Sequence, residues 1–223
     1  MSSHSSTLKL RLTRVGIIVV GLVIWFWTQS LIGSKSPATP EGGIGDAVHV
    51  WTAGWNAWLH DHSAANNALL IASSACIDAL SLFIIGATIF GKSIRPFLGL
   101  ILIFSLRQIN QAFTSLPNPP GQIWHATGVP TLLVTYGVSN DLFFSGHTAL
   151  AVFGALELFR VGNAALRVLA VAVAFFEITT VLVLRAHYTM DVYAGAITAL
   201  FIGLLAEKIA APVDRWLAQK TTS

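Results

Sequence analysis

Arg185-Ala186-His187-Tyr188-Thr189-Met190-Asp191-Val192 stands between two apolar runs, one over about Leu166 to Leu184 and one over about Tyr188 to Leu205. Each run approaches the ~20 residues that a helix needs to cross a bilayer. A polar stretch between two such runs reads as the turn of a helical hairpin, set where the membrane meets water. The arrangement recurs upstream. Asp141-Leu142-Phe143-Phe144-Ser145-Gly146-His147-Thr148 opens a further apolar run from about Leu142 to Phe159. Charged residues are only 10% of the chain, so polar groups gathered at two such junctions call for a chemical reason.

The remaining apolar runs complete the pattern. They cover Val15 to Ile32, Asn66 to Phe90, and Pro96 to about Gln111. With hydrophobic residues at 54% and a mean hydropathy of +0.70, the expected fold class is an all-α, polytopic membrane bundle of six transmembrane helices. The first run, behind Lys9, Arg11 and Arg14, reads as a retained helix rather than a cleaved signal. Those residues, Lys92 and Arg95, and Arg160 and Arg167 flank alternate ends of the runs, which places them on the cytoplasmic side. The expected organisation is a cytoplasmic segment over 1–14, a six-helix catalytic domain over 15–207, and a cytoplasmic tail over 208–223. Loops 34–65 and 114–140 then lie on the exoplasmic or periplasmic face, with every candidate catalytic residue.

Net charge is +3 and the isoelectric point is near 9.3. Without a basic stripe interleaved with aromatics, this balance speaks for topology and lipid head groups, not for nucleic acid. Trp51, Trp55 and Trp58, spaced by four and three, share a helical face. With Val48 and Leu59 they read as a short helix in the membrane interface. His60-Asp61-His62 reads as a solvated loop, since no further metal ligands stand nearby. Cys76 cannot form an intramolecular disulfide as the single cysteine. Asp78, Glu157 and Glu177 fall inside apolar runs, where a bare carboxylate is costly. Asp78 is therefore expected to face other helices or a wet cavity, and Glu157 and Glu177 each to be protonated or to meet a polar group from another helix.

The two junctions supply a reaction set. His187 and Asp191 are four apart, which gives them one face if a helix runs through both. A carboxylate there holds the imidazole in one tautomer and stabilises its charged form. Ser145, Gly146 and His147 add a hydroxyl, an approachable N–H and a second imidazole. Arg107, near the outer end of the third run, is either a side chain reaching the interface or a phosphate clamp. Asp141 reads most simply as a helix N-cap. Two histidines with a carboxylate and donors suit phosphoryl transfer: one imidazole attacks phosphorus and the other manages protons.

These residues also carry a resemblance. The motif pair resembles the type 2 phosphatidate phosphatase superfamily, and in detail its sphingomyelin synthase-like branch. Asp141 six residues before His147, Phe-Ser-Gly-His-Thr, His-Tyr-Thr-Met-Asp-Val, and Arg107 followed by Thr114-Ser115-Leu116-Pro117-Asn118-Pro119 are its marks. The runs from Gly128 to His147 and from Arg185 to Asp191 are similar to the plant phosphatidylcholine:diacylglycerol cholinephosphotransferases. The superfamily's first basic motif, a Lys six residues before Arg-Pro, has no match. The resemblance implies His187 as nucleophile, Asp191 as its orienting carboxylate, and His147 as acid and then base. Ser145, Gly146, Arg107 and Arg185 would hold the phosphoryl oxygens, with Asp141 in support. No metal or cofactor is expected, because cations and N–H donors already cover the developing charge. The expected partners are a phospholipid donor and a diacylglycerol or ceramide-like acceptor. A lipid phosphatase using water and a non-catalytic membrane scaffold are the alternatives. Head group, acceptor and oligomeric state are not legible.

Overall fold

The computed structural model describes residues 2–33, 44–137 and 141–222. These form eight α-helices with no strand among the described residues. They are α1 (Ser2–Gly33), α2 (Ala47–Trp51), α3 (Ala53–Asp61), α4 (Ser63–Phe90), α5 (Arg95–Phe113), α6 (Gly146–Val161), α7 (Ala164–Val183) and α8 (Thr189–Thr222).

Four helices are long and apolar enough to cross a membrane: Thr7–Leu31, Ser63–Phe90, Ala164–Val183 and Thr189–Lys220. The runs expected as third and fourth spans do not reach that standard. Helix α6 has 16 residues, and α5 carries Arg95, Arg107, Gln108, Asn110 and Gln111 within 19. Both are inner elements of the bundle. Leu150 and Phe153 of α6, and Leu100 and Ile103 of α5, are almost wholly buried. Small residues let these helices approach closely. A Cβ on Gly99 would lie 2.2 Å from the Phe153 ring, and one on Gly203 2.8 Å from Leu156. Outside, Val23, Trp27, Leu82, Val168, Phe175, Phe201 and Leu204 form an exposed apolar surface, as lipid contact requires.

Both end regions extend the helices beside them. Residues 2–14 continue α1, and Arg14 is buried, donating to the carbonyls of Thr88, at 3.0 Å, and Gly91 at the end of α4. Helix α8 runs on through Pro212 into the expected tail. There Asp214 accepts from the Ile94 N–H at 2.8 Å and so caps α5 from a distance.

The apolar-face assignment for the tryptophans holds in part. Trp51, Trp55 and Trp58 are all exposed, whereas Leu59 turns inward and is buried. The segment is two helices, broken at Thr52, and not one. Residues 34–43 of the expected loop lie outside the described residues. His60 and Asp61 end α3, and His62 stacks on Trp58 with centroids 4.3 Å apart.

The three carboxylates within the apolar runs, Glu157 and Glu177 buried and Asp78 half-buried, each find polar partners. Glu157 forms a two-pronged pair with Arg95 of α5. Glu177 accepts from Ser73 of α4 at 2.6 Å. Asp78 accepts from the backbone N–H groups of Leu132 and Leu133, at 2.9 and 3.1 Å. It thereby ties a span to the long loop after α5. That loop folds into the bundle: Leu133 and Val134 join the main core, and Tyr136 meets Ser74 at 2.8 Å.

Candidate active site

Three elements meet at one end of the bundle: the last turns of α5, the first turn of α6, and the turn from α7 to α8. The α6 start is made by Ser145, whose hydroxyl accepts from the Thr148 N–H at 3.3 Å. Ser145 is therefore the N-cap, and Asp141 is not, contrary to the sequence expectation. Asp141 lies one turn too early in the chain and is taken up by Arg107 instead. Their ion pair is 2.5 Å long. Gln111 at 2.7 Å and Thr135 at 3.3 Å also donate to the same carboxylate.

Arg107 is buried, with 5% exposure, so it does not reach to the interface as a surface arginine would. Its Nε donates to Phe144 O at 2.8 Å, and one terminal nitrogen donates to Asp141 O at 2.8 Å. These bonds lock the guanidinium beneath the α6 N-terminus. The fit is close at Gly146, where an added Cβ would stand 3.1 Å from Arg107 Nε and the guanidinium would have to shift by a few tenths of an ångström.

The turn to α8 has its own logic. No helix runs through both His187 and Asp191, because α8 begins at Thr189. Asp191 lies in the first turn, and its Oδ2 reaches back to the Tyr188 N–H at 3.0 Å. This is the reciprocal half of a capping box. The same oxygen is 3.7 Å from His187 Nδ1. Asp191 is fully buried, and its Oδ1 and His187 Nδ1 have no hydrogen-bond partner. The two motifs are joined directly, since the Ser145 N–H donates to Asp191 O at 3.0 Å. Gly195, one turn further on, permits this contact: its Cβ would fall 2.6 Å from Ser145 O.

A narrow cavity of about 50 Å³ opens among these groups. Arg107, Asp141, Gly146, His147 and His187 line it, with Trp124 and Thr135 from the loop and Trp25 and Gln29 from α1. His147 Nε2 is buried without a partner, and its ring meets Trp124 edge-on at 5.0 Å. Ser145 and Arg185 are not among the lining residues. Arg185 adopts a left-handed backbone, φ 52°, which is uncommon for a residue with a side chain. Its guanidinium binds Pro120 O and His49 O. It thus closes the α7–α8 turn against the loop and α2.

A second layer of residues around His187 has no counterpart in the sequence reading. A carbonyl can only accept, so His49 Nε2 donates to His187 O at 3.0 Å. The His49 ring stacks on Tyr188 at 5.5 Å. Asp46 caps α2 and accepts from the Thr189 N–H at 2.6 Å and its hydroxyl at 2.8 Å. Burial alone would raise the Asp46 carboxyl, but the hydrogen bonds from Thr189 and the nearby His49 hold it below its ordinary 3.8. Asp46 just ahead of an apolar helical pattern was the available signal. For Gln29, the signal was a polar residue near the end of an apolar run.

Fold and site together define a helical, membrane-type protein with two imidazoles, a buried carboxylate and a guanidinium at one end of its bundle. The model of the AtPDCT1/2 family matches residues 45–208, more than half of the chain, and the chain belongs to that family. The match begins just before Asp46 and takes in both histidine motifs, while α1 lies outside it. No curated protein and no solved structure matches the chain.

Proposed function

We propose that this protein is a lipid head-group phosphotransferase, moving a phosphocholine-type head group from a phospholipid donor to diacylglycerol. The observation that carries this reading is the single cavity into which His147, His187 and Arg107 all project. Membership of the AtPDCT1/2 family supports the choline head group and the diacylglycerol acceptor over the alternatives.

In this reading His187 faces Asp191 through Nδ1 and attacks the donor phosphorus through Nε2. The bond from phosphorus to the glycerol oxygen breaks, and His147 protonates the departing alkoxide to give a diacylglycerol. The head group is then held on His187 as a phosphoramidate. A second diacylglycerol gives its hydroxyl proton to His147, its oxygen attacks phosphorus, and His187 leaves. Arg107 and the N–H groups at the start of α6 stabilise the charge on the phosphoryl oxygens. Asp141 positions Arg107, and Arg185 positions the turn that carries His187.

The same reading takes α5 and α6 as spans. At 1.5 Å per residue they measure about 28 and 24 Å, against a hydrocarbon core of roughly 30 Å. Six crossings leave both termini cytoplasmic and the cavity on the exoplasmic side. Single cysteines at Ala126 and Ala165, in a Cys76→Ser background, test this with an impermeant thiol reagent. Outside labelling is expected at the first alone.

The direct test is purified protein in nanodiscs with head-group-labelled phosphatidylcholine and chain-labelled diacylglycerol. Doubly labelled phosphatidylcholine is the expected product. Release of water-soluble phosphocholine or inorganic phosphate without it would mark a hydrolase instead.

A further inference from the structure

Helix α1 contributes a polar face to the cavity although it lies outside the family match. Trp25 and Gln29 are one helical turn apart and so share that face. Both are more than nine-tenths buried, at 7% and 6% exposure. Neither the indole Nε1–H nor either end of the Gln29 amide has a hydrogen-bond partner. A buried polar group left so is destabilising, and both side chains line the cavity that contains His147 and His187.

Their placement is held from behind. The Trp25 ring packs on Phe104 with centroids 4.7 Å apart. Gln108 of α5 donates to Trp25 O at 3.1 Å, and the Thr28 hydroxyl donates to Gln108 Oε1 at 2.8 Å. Gln29 thus sits near the end of an apolar span, which finishes at Leu31, on a helix stitched to α5. In the six-span reading that end of α1 lies at the boundary between head group and acyl chains, where the ester groups of a glycerolipid lie. The side chains present three N–H bonds and one amide oxygen. A matching ligand group must be mostly an acceptor, which an ester carbonyl is.

We propose that Trp25 and Gln29 recognise the acyl ester carbonyls of a glycerolipid in this cavity, and so select diacyl lipids over ether-linked ones. The proposal rests on the transferase reading for its substrate but not for its geometry. The carbonyl belongs either to the donor or to the acceptor, and ether replacement in one lipid at a time tells them apart.

The experiment compares wild type, Gln29→Leu and Trp25→Phe, the last keeping the ring on Phe104 while removing the N–H. Transfer is measured with diacyl and dialkyl forms of the donor, and separately of the acceptor, with ceramide as a further acceptor. Equilibrium binding of fluorescent diacylglycerol and dialkylglycerol is measured in parallel. Wild type is expected to favour the diacyl form of one lipid about tenfold in kcat/KM, the scale of one hydrogen bond. Both variants lose that preference by falling on diacyl lipid alone, with the dialkyl rate retained as evidence of an intact fold. An equal loss on diacyl and dialkyl lipid, or a ceramide preference that Gln29→Leu abolishes, would overturn the ester assignment. If transfer is absent throughout but the diacyl binding preference is present and lost in the variants, ester recognition stands and the transferase reading falls.

Discussion

The two ends of the α5–α6 pair each carry an arginine and a carboxylate, and they are used differently. At one end Arg95 and Glu157 satisfy each other through both guanidinium prongs. Nearby, Asp214 caps α5, and Arg160 pairs with Glu207 at 2.8 Å. At the other end the Arg107 and Asp141 pair is surrounded by groups without partners: His147 Nε2, His187 Nδ1, Asp191 Oδ1 and the Gln29 amide. A buried polar group without a partner costs stability. Three of these residues, His147, His187 and Gln29, line one cavity, whereas the Arg95 and Glu157 pair leaves no such atom unpartnered. The first end holds two helices together, and the second is the end at which the proposed reaction would take place.

The largest expected break in this contrast is Asp191→Asn. The substitution keeps the shape and leaves the Tyr188 contact an acceptor, but removes the charge facing His187. Turnover should fall by about three to four orders of magnitude, with the melting temperature little changed. A rate within tenfold of wild type would place Asp191 in the capping role only.

Arg95→Met is the converse. It leaves Glu157 buried without its partner and should cost about 3 kcal/mol of stability, read as a loss in denaturant midpoint. Turnover per folded molecule should hold. Arg95→Met combined with Glu157→Met should recover most of the loss, because two apolar side chains replace the pair without an orphan charge. A fall in turnover with an unchanged midpoint would mean that this end also serves the reaction.

Gly195→Ala sharpens the join between the motifs. Its methyl group must displace either α8 or the Ser145 backbone, since 2.6 Å to a carbonyl oxygen is too close. Turnover should drop tens of fold, and stability by roughly 1–3 kcal/mol. Gly16 faces open space, so Gly16→Ala should do neither.

The smallest effect concerns pH. The Asp46 carboxyl is held below 3.8 in the fold. Its contribution is therefore fully present above that value, and it is lost as pH falls through the lower, folded one. Wild-type melting temperature should decline more steeply than that of Asp46→Asn on going from pH 6 to pH 3. Parallel declines would show that the Thr189 contacts do not depend on the charge.

How much of this was open to reading from sequence follows the range of each interaction. His147, His187, Asp191 and Arg107 stood out because polar residues at the ends of apolar runs are costly unless used. The helices were legible for the same reason. Roles that depend on a distant partner were not. Asp141 looked like a cap, and only the fold shows that Ser145 caps α6 while Asp141 binds Arg107 across 34 positions. Arg185 looked like a phosphate ligand by proximity in sequence, yet it spans to Pro120 and His49. Trp124 sits in a proline-rich stretch without periodicity, so nothing local told that its ring would meet His147. The spacing of His187 and Asp191 did bring them near each other, at the turn between two helices, through a capping turn and not along one helix face.

The division of labour between the histidines is the centre of the account, and rapid-quench trapping reads it most directly. Wild-type protein is mixed with a chromogenic phosphodiester that carries a labelled phosphocholine group, quenched within milliseconds, and mapped by peptide. The label is expected on His187, and it should chase into phosphatidylcholine when diacylglycerol is added. His187→Ala should give no adduct. His147→Ala should still load, since a good leaving group needs little acid, but should fail to pass the group on. Label on His147 in the wild type, or transfer with no trapped adduct and inversion at phosphorus, would contradict the account.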